Sequence, residues 1–220
     1  MGSDAPTTVN ADTAGPIRLA VLVSGGGSTL ANLVDRIADG ALKAQIGLVI
    51  ASNRKAADGV VRRHAGTNWP TELIDRCQFG SAATFSQAVF DRVRQLPIDL
   101  VCLAGFLSLL VIPEDFTNRV VNIHPALLPR FGGRRMYGPQ VHEAVLAAGC
   151  KVSGCTVHFA DRHYDTGPII LQRTCPVVAG DTPESLARRV FAEECIAYPA
   201  AINLIAAGCV RLEGRKVHVP

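Results

Sequence analysis

"IRLAVLVSGGGSTLANLVDRIA", Ile17 to Ala38, decides the fold. It opens on a short, mostly apolar run, Ile17–Val23, of the kind a strand shows when both faces of its sheet are covered. A glycine-rich turn follows, then an amphipathic pattern from about Ser28 to Ala38 that reads as a helix. The same alternation continues along the chain. Residues 45–52, 71–75, 98–105 and 119–124 read as strands. Lys55–Ala65 and Ala82–Leu96, the latter ended by Pro97, read as helices. Strands alternating with helices make parallel βαβ units, so the expectation is an α/β, doubly wound, Rossmann-like and mostly parallel sheet.

Past Gly138 the pattern changes. A helix near Pro139–Ala148 leads to two β-rich runs, 153–160 and 168–178, joined by "DRHYDTG". They predict a hairpin-like, β-rich C-terminal extension of the sheet. "DTPESLARRVFAEECIAYPAAINLIAAG" predicts a long C-terminal helix, with Thr182 as N-cap, Pro183 at its first position and Pro199 as a point of bending. Val210–Arg211 and Val217–Val219 can pair around Glu213-Gly214. No repeat or interdomain linker appears, so one domain is expected over residues 17–220, with a small, polar, disordered tail over 1–16.

The chain has 220 residues, 48% of them hydrophobic and 19% charged, which places it among globular proteins rather than disordered ones. A net charge of +3 without any Lys/Arg run is too small for a nucleic-acid footprint. No apolar run reaches the ~18 residues of a membrane span, and the N-terminus lacks a signal-peptide core. The seven cysteines are odd in number and show no C-x-x-C pair, so reduced thiols and a cytoplasmic location are expected.

Three places carry chemistry. Glycines 25, 26 and 27 allow close backbone approach, and Ser28 and Thr29 stand where a helix presents free N–H groups. The loop has neither a Walker A lysine nor the third glycine of G-x-G-x-x-G, Leu30 standing there, so a single phosphate monoester fits better than a dinucleotide. In "RVVNIH", alternation sends Asn122 and His124 to one face at the carboxyl end of an inner strand, where open α/β sheets bind ligands. An asparagine there can donate to an oxygen gaining negative charge, and a histidine can move a proton near neutral pH. No G-x-S-x-G elbow accompanies them, so direct transfer between bound substrates is expected rather than a covalent enzyme intermediate. Asp165, in the sharp Asp-Thr-Gly-Pro turn, can serve as the proton acceptor or orienter, whereas Asp161 and His163 read as solvated turn residues. Glu194 falls on the apolar stripe of Leu186, Val190, Ala197 and Ala201, where a carboxylate needs a partner, such as Arg189 or Arg130. No paired-ligand helix spacing such as H-x-x-x-H appears, so no metal is expected.

"SGGGSTLANL", "LAGFLSLL", "NIHPALLPRFGG", "SGCTVHFADRHYDTGPIILQ" and "AGDTPESLARRV" occur in an order and spacing that resembles the glycinamide ribonucleotide formyltransferases of purine synthesis, from Ile17 to the end. The resemblance implies a phosphate- and nucleotide-binding half over 17–118, and a catalytic and folate-binding half over 119–220. It implies that Gly27, Ser28 and Thr29 hold the nucleotide phosphate and that Glu194 binds the nucleotide. Asn122, His124 and Asp165 match the family's catalytic trio. Leu107, Ser108, Leu109 and Leu110 match the run against which the pterin ring packs; Asn122 and the backbone of Ala160, Asp161 and the residues to Asp165 border the same ring. The cosubstrate implied is 10-formyltetrahydrofolate, with glycinamide ribonucleotide as acceptor. Members vary in oligomeric state, so a homodimer is compatible with the sequence.

The resemblance departs at one point. An arginine often found near the folate tail has no counterpart around Ala83; Arg130, Arg134 or Arg135 is the candidate in its place. Related enzymes set the alternatives. Methionyl-tRNA formyltransferases carry a further RNA-binding domain for which this chain has neither the length nor the charge. Formyltetrahydrofolate hydrolases carry an N-terminal regulatory domain where only a short tail precedes Ile17. A nucleotide-binding protein without turnover would need the glycine loop but not the trio.

Overall fold

The computed structural model describes residues 7–8, 15–64 and 66–220. Most of the expected disordered tail, and the expected helix end at Ala65, lie outside the described residues. Thr7–Thr8 (β1) departs from that expectation: it forms a two-residue strand paired antiparallel with residues 211 and 212.

The described residues divide into two compact units, one running from residue 15 to residue 121 and one of residues 122–220 with Thr7–Thr8. The first unit carries β2 (Ile17–Val23), α1 (Ser28–Ala38), β3 (Ala44–Ala51), α2 (Arg54–Arg63), β4 (Thr71–Leu73), α3 (Ala82–Arg94) and β5 (Leu100–Leu103). β2 pairs parallel with β3 and with β5, and β3 pairs parallel with β4. β2 and β5 are therefore neighbours although β3 and β4 follow β2 in the chain. The strand order reverses between them, and that switch point is where doubly wound sheets place ligands.

The helix starts follow from their caps. Asn53 accepts from the Ala56 N–H (2.9 Å), so α2 begins at Arg54; Ser81 accepts from the Thr84 N–H (3.1 Å), so α3 begins at Ala82. The expected strand over 71–75 stops at Leu73, because the Asp75 carboxylate takes the Cys77 N–H (3.0 Å) and turns the chain into a 3₁₀ segment. Pro97 and the left-handed Gly105 (φ 66°) shorten the expected strand over 98–105 to four residues.

β6 (Val120–His124) leads into the second unit, which holds α4 (Pro139–Ala147), β7 (Val152–Phe159), β8 (Ile169–Pro176), α5 (Pro183–Ala206), β9 (Arg211–Glu213) and β10 (Lys216–His218). The strand order of the large sheet is β4-β3-β2-β5-β6-β7-β8, and β7 and β8 form the expected antiparallel extension. α5 packs on β7 and β8, and a capping box between Thr182 and Ser185 starts it. The helix continues through Pro199. β1, β9 and β10 form a separate three-stranded sheet.

Candidate active site

The trio read from sequence comes together. β6 projects Asn122 and His124, and the loop between β7 and β8 brings Asp165 back to them. Asn122 Nδ2 lies 3.3 Å from Asp165 Oδ1, and His124 Nδ1 lies 3.5 Å from the same oxygen. The second carboxylate oxygen accepts from the Gly133 N–H at 2.9 Å. A fourth residue completes the cluster. His158, near the end of β7, places Nε2 3.1 Å from Asn122 Nδ2 and 3.6 Å from Asp165 Oδ1. His158 was not among the site residues read from sequence. The signal was present: alternation along "TVHF" puts Thr156 and His158 on one face of an otherwise apolar strand, as it does Asn122 and His124.

The hydrogen bonds fix the imidazole tautomers. A carbonyl can only accept, so His124 carries its hydrogen on Nε2, 2.8 Å from the Phe131 oxygen. His158 donates Nδ1–H to the Phe159 carbonyl at 2.8 Å, leaving Nε2 to accept from Asn122. Burial pushes His124 below the ordinary imidazole range; Asp165 and the Phe131 carbonyl oppose this without reversing it. Burial also works to raise the Asp165 carboxyl, but the neighbouring His158 and His124 and the Gly133 N–H outweigh it, holding the group below the usual carboxylate range. At neutral pH the arrangement is a carboxylate facing the lone pair of a neutral imidazole. Two acceptors at 3.5 Å form a seat for one proton.

Backbone strain supports this seat. Phe131 (φ 57°) and Asp165 (φ 56°) are both left-handed without being glycine. One supplies the carbonyl that orients His124; the other is the acid. Gly132 lets the acid approach, since a Cβ there would stand 3.1 Å from the Asp165 Cβ and 2.4 Å from Leu128 Cδ2. The buried Thr156 hydroxyl ties the proline-rich exit of β6, donating to the Ala126 carbonyl (2.7 Å) and accepting from the Leu128 N–H (3.0 Å). Among the described residues no group of three or more His, Cys, Asp or Glu is arranged to hold a metal.

In the first unit the glycine loop sits at the switch point. Gly27 (φ 73°) is the N-cap of α1, which has no side-chain cap; Ser28 is exposed and Thr29 buried. Ser24 holds the loop's root, its oxygen accepting from the Leu107 N–H (3.0 Å) and its hydroxyl sharing a hydrogen bond with Ser52 (2.7 Å). Arg63, which sequence reasoning passed over, places Nη1 3.8 Å from the point where a Cβ on Gly27 would stand. It brings a cation beside the loop. The expected pterin run grades from the exposed Leu107, through the half-buried Ser108 and Leu109, to the buried Leu110.

Two expectations need correction. Asp161 is not a freely solvated turn residue: it accepts from Thr166 Oγ1 (2.6 Å) and the His163 N–H (3.1 Å), and Arg215 lies at 3.4 Å. The bland partners considered for Glu194 are engaged elsewhere. Arg189 binds Asp181 at 2.7 and 2.9 Å, and Arg130 lies over the Phe131 ring, 5.2 Å from its centroid. Arg134 and Arg135 are exposed.

Burial pushes the Glu194 carboxyl up to about 7. The sign of its effect on stability follows. From its ordinary value of 4.5 up to about 7, the unfolded chain ionises while the folded chain keeps its proton, so the stability contribution falls over that window. Wild type should therefore lose stability relative to Glu194→Gln as pH rises from about 4.5 to about 7, with no further divergence above. Urea unfolding of both proteins at a series of pH values measures this; parallel stability curves across the window would contradict it.

The model of the formyl transferase family matches residues 17–202. This chain belongs to that family. It is 39% identical over 198 residues to the trifunctional purine biosynthetic protein adenosine-3 of Gallus gallus, covering 89% of this chain and 19% of that protein. It is 37% identical over 206 residues to the chloroplastic phosphoribosylglycinamide formyltransferase of Vigna unguiculata, covering 92% of this chain and 64% of that one. The chain thus spans under two thirds of the length of both these relatives. Among solved structures, glycinamide ribonucleotide transformylase 1 from Symbiobacterium toebii superposes with a TM-score of 0.84 at 37% identity, covering 94% of this chain and 95% of that one. Among the described residues no helix is long and apolar enough to cross a membrane.

Proposed function

We propose that this formyl transferase moves the formyl group of 10-formyltetrahydrofolate directly onto the amine of glycinamide ribonucleotide in purine biosynthesis, in the cytoplasm. The observation that carries the reading is the convergence of Asn122 and His124 on one carboxylate oxygen of Asp165, at 3.3 and 3.5 Å. The relatives' names support it.

The amine nitrogen bonds to the formyl carbon, whose carbonyl oxygen takes the electron pair and becomes an oxyanion. Asn122 turns its longer, 3.3 Å contact away from Asp165 and donates that N–H to the oxyanion. The ammonium formed by attack loses a proton toward Asp165, and the His124 Nδ1 lone pair shares it, giving an imidazolium beside a carboxylate. Collapse of the intermediate breaks the bond to the folate N10, which receives that proton. The nucleotide phosphate rests on the N–H groups of Ser28 and Thr29, with Gly27 making room and Arg63 adding charge. Glu194 accepts from nucleotide hydroxyls. Leu107–Leu110 and the backbone of Ala160–Asp165 receive the pterin.

Purified protein given both substrates should release tetrahydrofolate in step with formylated nucleotide, and little without the nucleotide. Formate release independent of the nucleotide would instead identify a formyltetrahydrofolate hydrolase. Ser28→Pro tests the phosphate assignment. Proline suits the first helical position but removes one donor, so the nucleotide KM should rise about tenfold while the folate KM holds. Equal weakening of both would contradict the assignment.

A further inference from the structure

The loop between β7 and β8 carries Asp165, and its backbone needs holding in a left-handed conformation. Part of that hold is internal: Asp161 bridges the loop by accepting from His163 and Thr166, and the Phe159 N–H donates to the Pro168 carbonyl at 2.9 Å. The rest comes from the C-terminal hairpin. Val210 and Leu212 bury its root, β1 pairs along its outer side, and β10 lies against β8. At its turn stands Arg215. Its guanidinium donates to the carbonyl of Thr166, the residue following the acid, and lies 3.4 and 3.5 Å from Asp161 Oδ2.

We propose that Arg215 is a positioning residue, through which the C-terminal hairpin clamps the Asp161–Thr166 loop and sets the affinity for the folate cosubstrate. An exposed ion pair with Asp161 alone would contribute little. The Thr166 carbonyl changes this. A charge-assisted bond to the peptide next to Asp165 restrains the backbone itself, and the guanidinium fork spans both acceptors at once. The Asp165 side chain keeps its own ties to Gly133 and Asn122, so loss of the clamp loosens the loop more than it moves the acid. The role assigned to folate rests on the proposed formyl transfer; the clamp itself does not.

Arg215→Ala and Arg215→Lys in the full chain test this with two readouts. In the unliganded protein, amide hydrogen exchange over residues 161–167 should quicken about tenfold in Arg215→Ala. In formyl transfer, its folate KM should rise about five- to tenfold, with kcat and nucleotide KM within about twofold. Arg215→Lys, reaching one acceptor, should fall between wild type and Arg215→Ala in both. Unchanged exchange would overturn the clamp, whatever the enzyme's activity. Faster exchange with an unchanged folate KM, or with all kinetic constants shifting together, would overturn its role in affinity. Absence of formyl transfer in wild type would refute the proposed function and leave the exchange result to decide the clamp.

Discussion

Asp165→Asn should fold as wild type does, bind both substrates, and lose about 10³- to 10⁴-fold in kcat. The substitution preserves shape. The Gly133 N–H can still donate to the new amide oxygen, as it does to Asp165 Oδ2. The new amide nitrogen then faces the lone pair of His124 Nδ1, which stands 3.5 Å from Asp165 Oδ1, whereas the His158 Nε2 lone pair is already taken by Asn122. It would fill the seat with a permanent donor, leaving His124 satisfied and the amine's proton without an acceptor. KM values within about threefold of wild type and an unchanged unfolding midpoint would accompany the loss. A mutant as active as wild type would remove Asp165 from the reaction; a mutant that also fails to fold would call for Asn122→Ala as the companion test.

Gly167→Ala should damage activity and stability together. A Cβ on Gly167 would stand 1.7 Å from the Phe159 carbonyl oxygen and 2.8 Å from its carbon. Both sides of that overlap are backbone, so no rotamer change relieves it. The displaced carbonyl is the one that takes the His158 Nδ1–H, and Asp165 lies two residues before the glycine. Overpacking of this kind costs about 1–3 kcal/mol, and a shift of about 1 Å at the acid costs about 10²-fold in rate. Gly80→Ala, where a Cβ meets nothing within 4 Å, is the control and should match wild type. Retained activity in Gly167→Ala would mean that the loop adjusts without moving Asp165 or His158.

Asn122 and His124 were legible because a strand's period of two is rigid: once Val121 and Ile123 are inside, the polar pair must share the other face. Asp165 was legible from its turn chemistry, though nothing local said which way it would face. His158 was harder, because its placement depends on β7 lying beside β6, a long-range fact. Asp161 illustrates the opposite error. A polar residue in a turn reads as solvated, but whether its carboxylate closes the loop depends on Thr166 and on a hairpin far along the chain. The same distance hid Arg215. Arg63 was hidden by its setting on a charged helix end, where one cation among several carries no distinguishing pattern.

The central claim is that a one-carbon unit passes directly between two bound substrates across the Asn122–His124–Asp165 seat. A single turnover with 10-formyltetrahydrofolate labelled at the formyl carbon, quenched at intervals in excess enzyme, follows that unit. Label should move from folate to the nucleotide amine in one phase, without appearing on the protein or as formate. Label on protein, or formate formed at the same rate with and without the nucleotide, would contradict direct transfer.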